Sequence, residues 1–234
     1  MKKLFAVGLM LALASGVRAG PVSVKLNSLG AGEAVHIEIV PVGQSGLQTV
    51  YAFAGVFNMT LNGKSFTSFC IDTAHDVSVG QTYQVQQAPV ESGLTNGARL
   101  EYLYTKYVGA AVNNNVDAAA LQIALWDLAD GGQSLLTGSL FRYTDTGSPI
   151  YAVANSYIAE ALAYAPPTSG SVGFWEDASP SGNALGRGQS LIGPPASGFN
   201  PNDLLPAPAP AGALLAASGL VTLAGGRLLR RRAA

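Results

Sequence analysis

An apolar run entered through prolines and closed by arginines takes the end of this chain out of any water-soluble fold. Pro206, Pro208 and Pro210 lead into residues 211–226, and Arg227, Arg230, Arg231 and Arg232 follow. Arginines resist crossing a bilayer, so the terminus is expected to stay cytoplasmic while the run enters the membrane and everything before it lies outside. Counted from Ala207 the run is about 20 residues, roughly 30 Å as a helix and just a span, and Gly212, Ser218, Gly219 and Thr222 dilute it. A lasting single-pass anchor is normally greasier. The other end reads as a secretory leader over residues 1–19: Lys2 and Lys3 precede an apolar core from Leu4 to Ala14, and Val17, Arg18 and Ala19 offer a cleavage point before Gly20.

Setting both ends aside uncovers the charge of the body. Of 13 basic residues, Lys2, Lys3 and Arg18 lie in the leader and four arginines in the tail, leaving six against 14 acidic residues. A net charge of about −8 argues against nucleic acid as a partner. Residues 20–193 are enough for one domain with a proper core. Residues 194–205, rich in proline and glycine, read as a linker to the tail at 206–234.

The pattern within the body is that of an α+β domain, a mainly antiparallel β barrel or sandwich with a helical insert, followed by the proline-rich linker and one C-terminal apolar helix. Val22 to Leu26, Ala34 to Val42, Thr49 to Leu61, Lys64 to Ile71 and Gln81 to Gln86 read as strands, with Asn62-Gly63 as a tight hairpin turn. The period then changes. Leu100, Leu103, Tyr104 and Tyr107 share one face of a helix from about Asn96. A second helix runs from about Asp117 to Ala129 and stops at Gly131-Gly132. A third, Pro149 to Ala163, is opened by Ser148 and closed before Pro166-Pro167. Ser171 to Ala178 and Gly188 to Ile192 read as a last hairpin around residues 181–183, able to close the sheet.

Cys70 is the sole cysteine, so an exported body has no internal disulfide. Its plain reading is a small buried apolar side chain. Asp72, His75 and Asp76 follow closely. Together with Cys70 they lack the second ligand pair a metal centre calls for, and no metal is expected. A Cys-His hydrolase would draw on His75 or His36, but no oxyanion-loop signature accompanies Cys70. Asn58-Met59-Thr60 fits the glycosylation sequon yet lies within a strand and reads as chance.

Two resemblances sharpen this reading. The tail, with Leu205-Pro206-Ala207-Pro208 at its head, resembles the PEP-CTERM group of sorting tails in its VPLPA-CTERM form, Ala207 standing where the PEP motif has Glu. That resemblance implies an exosortase-type membrane protease as a partner, passage through the inner membrane, and release to the cell surface or extracellular space. Within the body, Phe69-Cys70-Ile71 on a strand and the run Leu121 to Trp126 on a helix resemble the paired signatures of thioester domains in bacterial surface adhesins. The likeness spans roughly residues 50–136. It implies an internal thioester between Cys70 and Gln122, covalent binding to an amine-bearing surface macromolecule, and no cofactor and no enzymatic turnover.

The chemistry asks for shelter. Helical spacing puts Ala118, Leu125 and Trp126 on the Gln122 face, so Trp126 and Phe69 are expected to shield the bond, with His75 moving protons. A crosslink over this span would contribute about 4 kcal/mol if treated as a loop closure. The alternative is an exopolysaccharide-associated matrix protein in which Cys70 and Gln122 only pack.

Overall fold

The computed structural model describes residues 21–41, 43–73, 75–88, 94, 96–132, 134–164, 172–178 and 190–195. The leader, most of the linker and the sorting tail expected from the sequence lie outside them. So do residues 181–183 and Pro166-Pro167. No helix among the described residues is long and apolar enough to cross a membrane.

Strand β1 (Val22–Ile39) pairs from Val24 onward with β2 (Gln48–Leu61). A two-residue turn then returns the chain into β3 (Lys64–Cys70). Asn62 (φ 48°) and Gly63 (φ 82°) are both left-handed there. This is the type I′ geometry whose twist suits a hairpin and which the Asn-Gly dipeptide favours. Strand β4 (Thr82–Ala88) joins the first residues of β1, and β6 (Gly173–Asp177) and β7 (Leu191–Gly193) bridge β4 to β3. Pairing among the described residues thus runs β1-β2-β3-β7-β6-β4 and back to β1, an antiparallel circuit. The two-residue strand β5 (Phe141–Arg142) sits beside the far end of β1.

The first two strands read from the sequence are in fact one. Buried residues of β1 fall at Val22, Val24 and Leu26, then at Val35 and Ile37, so the parity of the pattern switches midway. Two register shifts against β2, between Leu26 and Ser28 and between Leu29 and Gly32, accommodate the switch. On β2 the buried positions likewise pass from Ala54 and Val56 to Phe57, Met59 and Leu61. The β1-β2 ribbon therefore buries one face in the circuit of strands and the other face farther along, under the helices. An alternation that changes parity looks like two strands when read one window at a time.

A group of three helices rests on that second face through its middle member. Helix α1 (Gly97–Ala111) and α3 (Pro149–Ala163) flank α2 (Asn115–Ala129), which packs on both and on β1, β2 and β3. All residues from Ala118 to Leu128 are buried, so α2 is a core helix apolar on every side and not an amphipathic one. Its start is capped by Asn114, whose side chain accepts from the N–H groups of Val116 and Asp117. Its end turns at Gly131, with φ 77°. Ser148 caps α3 ahead of Pro149, and Glu160 on α3 accepts from Tyr102, Tyr107 and Lys106 of α1, tying the outer helices together.

Candidate functional site

Cys70 is the last residue of β3, and its two neighbours on the sheet differ. Toward β7 it stands opposite Leu191, and the Ile71 N–H bonds to Ser190 O at 2.9 Å. Toward β2 the ladder stops at Phe57 opposite Ser68. Alternation along the ladder turns the Cys70 N–H and C=O to this vacated side. The side chain of Gln122 occupies it. Its Oε1 accepts from the Cys70 N–H at 3.0 Å and its Nε2 donates to the Cys70 carbonyl at 2.6 Å. A carboxamide has the donor and acceptor of a peptide group, so Gln122 completes the ladder as one residue of a missing strand would. Buried backbone groups need such partners, and both residues are fully buried.

The sulfur is held by the turn that follows. Cys70 Sγ donates to the Asp72 carbonyl at 2.8 Å and receives the Asp72 N–H at 3.2 Å. Burial raises the thiol far above its ordinary pKa, and the Asp72 and Asp130 charges add to this. The Trp126 indole N–H works in the opposite direction, favouring the thiolate. That N–H is buried and has no hydrogen-bond partner among the described residues. Trp126 also packs on Phe141 of β5, ring centres 5.8 Å apart.

The remaining expected site residues are placed as follows. Phe69 is fully buried and edge-on to Tyr104 of α1, on the opposite face of β3 from Cys70. His75 bonds through Nδ1 to the Asp72 carboxylate at 2.6 Å, while its Nε2 is buried without a partner among the described residues. It is thus tied to the same turn that grips the sulfur. His36 meets Tyr51 edge-on across the β1-β2 ribbon, ring centres 4.8 Å apart. Pro206 and Pro208 lie outside the described residues.

Sequence reasoning missed the two carboxyls at the end of α2. Asp127 is 1% exposed and neither of its oxygens has a partner among the described residues. The Gly132 N–H bonds to its main-chain oxygen at 2.7 Å, and a Cβ at Gly132 would come within 2.4 Å of Oδ1, so the carboxyl is closely roofed. Asp130 accepts from Thr73 Oγ1 at 3.0 Å. Burial lifts Asp127 from 3.8 to about 6, the Asp130 charge adding to the effect. Burial lifts Asp130 to about 6 as well, against the Thr73 hydrogen bond and with the Asp72 charge. Their signal in sequence was an acid inside an otherwise apolar helix.

These shifts have a sign. A carboxyl raised by folding keeps its proton longer in the folded state than in the unfolded chain. Its penalty is absent below the unfolded value and grows as pH rises through the folded one. Stability is therefore expected to fall between about pH 4 and about pH 7, with Asp127 contributing roughly 2–3 kcal/mol. Asp127→Asn should flatten that slope and raise the denaturant midpoint at neutral pH. Denaturation curves of both proteins at the two pH values measure this, and an unchanged slope would remove Asp127 from the account.

No protein-family model, no curated protein and no solved structure matches this chain.

Proposed function

We propose that this chain is an exported bacterial surface or extracellular-matrix protein whose body forms a Cys70–Gln122 thioester for covalent attachment to an amine-bearing partner. The observation that carries the reading is the seat of the Gln122 amide on Cys70 with its Oε1 on the Cys70 N–H. Attack of Sγ on the amide carbon builds negative charge on that oxygen, where a backbone donor lowers the barrier. The S–C bond forms as the C–N bond breaks, the thiol proton passes to nitrogen, and ammonia leaves. Because burial disfavours a standing thiolate, the proton departs in step with attack. His75, bonded to the residue that grips the sulfur, is the candidate carrier. An amine later attacks the same carbon and returns Cys70 to a thiol.

A second reading keeps the amide intact. The paired hydrogen bonds of Gln122 are a sufficient structural reason for its burial, and a raised thiol pKa suits an inert cysteine. The protein is then a passive matrix component associated with exopolysaccharide.

Both readings share the sorting route. The leader carries the body across the inner membrane, and the tail from Pro206 anchors it until an exosortase-type protease releases it to the cell surface. Two measurements test the proposal. Methylamine should add to the purified chain and expose one titratable thiol, an outcome the passive reading forbids. Mature surface protein should lack its arginine-rich end when the protease is present, and Arg232 retained there would end the processing claim.

A further inference from the structure

Three of the large apolar side chains that the fold leaves in solvent, Leu29, Tyr51 and Val79, stand around one cavity. Their exposures of 42, 69 and 54% form a greasy rim of a kind that commonly marks an interaction site. The cavity holds about 550 Å³, and the consecutive residues Val50, Tyr51, Ala52 and Phe53 all line it. Neighbours on a strand point to opposite faces, so a cavity touched by four in a row runs along the edge of β2.

That edge is unpaired among the described residues. Among the described residues, 48–56 of β2 bond only to β1, because β3 joins from Phe57 onward. The two-residue turn makes Leu61 and Lys64 a hydrogen-bonded pair, so odd-numbered residues of β2 face β3's side of the strand. Thr49, Tyr51 and Phe53 consequently turn their N–H and C=O groups to the side of β2 away from β1, where Tyr51 and Phe53 line the groove. Thr73 and Asp76 to Val79 also line it, and Asp76 is exposed. Trp126, whose indole favours the Cys70 thiolate, forms part of the lining.

We infer that this groove docks an extended polypeptide segment of a partner, added as a strand to the free edge of β2, with a basic side chain drawn to Asp76. Unpaired main-chain groups call for another main chain, the rim calls for apolar side chains on it, and the carboxylate selects a cation. Docking stands independently of any thioester. Delivery of a lysine past Trp126 rests on the proposed function. In that step the Nζ–C bond forms as the C–S bond of Gln122 breaks, and the amine's proton ends on Cys70 Sγ.

The test uses the full chain carrying Cys70→Ser, which cannot form a thioester, and the blocked peptide Thr-Val-Thr-Lys-Thr-Val-Thr. Amide signals of residues 49–53 and 76–79 and the Trp126 indole signal should shift on titration. N-methylation of alternate peptide residues, Asp76→Asn, or Tyr51→Ser with Val79→Ser should each weaken binding about tenfold, while the surface variants keep the thermal midpoint of the parent. Equal affinity for the N-methylated peptide, shifts confined elsewhere, or shifts that depend on protein concentration alone would overturn the inference, the last assigning the edge to a second copy. Wild-type chain that carries the thioester and couples to methylamine but never to the peptide lysine overturns the delivery and leaves the proposed function standing. A wild-type chain at full mass that still binds the peptide at this edge supports the docking and removes the covalent function.

Discussion

Purified wild-type chain is expected to weigh one ammonia less than its processed sequence, and Cys70→Ala and Gln122→Ala are each expected to restore the full mass. The expectation rests on the amide of Gln122 lying against Cys70 in a site closed to solvent, with a backbone donor on the oxygen that becomes the oxyanion. Peptide mapping assigns the loss, since the fragments carrying the two residues should appear linked before amine treatment and separate after it. Water competes with amines for the same carbon. Trp126→Ala should therefore shorten the life of the linkage by removing the ring beside the sulfur. Wild-type protein at full mass, with a thiol silent toward reagents until the chain is unfolded, would transfer the case to the passive matrix component.

Gln122→Leu is expected to be among the most damaging single changes in the body, whichever reading holds. Leucine fills much of the same space but leaves the Cys70 N–H and C=O without partners in a dry interior. At about 1–3 kcal/mol for each orphaned group the loss is about 2–6 kcal/mol, read from denaturant midpoints. Gln122→Glu gives a sharper signature. Its carboxylate can still accept from the Cys70 N–H but sets a second acceptor against the carbonyl, and only the protonated acid restores a donor. This variant should accordingly gain stability as pH falls, with the slope attributable to position 122 when measured against Asp127→Asn as a common background. A loss below about 1 kcal/mol in Gln122→Leu would mean that the ladder does not depend on this side chain.

Local chemistry made much of the fold legible and tertiary geometry hid the rest. Asn62-Gly63 announced its hairpin because few dipeptides tolerate two left-handed residues in succession. The cap at Ser148 and the stop at Gly131 announced helix ends for similar local reasons. The unity of β1 was hidden because its buried parity changes where the ribbon passes from the strand circuit to the helices. Strand β5 was missed because two residues carry no period, and its existence depends on Glu38 and Ile39 standing beside it. At the site, the pairing of Cys70 with Gln122 was suggested by a motif resemblance. What no motif states is that the amide meets the backbone of Cys70, a contact made available only because β2 leaves β3 at Phe57. Asp127 escaped notice since an acid on a helix is ordinarily solvated, and only the packing of α2 on every side buries it.

The circuit of strands is completed by the pieces that come latest in the chain. Strand β7 lies against Cys70, yet it follows all three helices in the sequence, and β6 reaches β4 only just before it. A chain emerging from its amino end therefore presents Cys70, and then Gln122, long before the wall behind them exists. Contacts this distant in sequence form slowly and together. The interior around the sulfur is consequently a property of the completed domain. A truncated or stalled product would display an ordinary thiol and an ordinary amide, and under the proposed function the fold itself acts as a clock that withholds the linkage until synthesis of the body is finished.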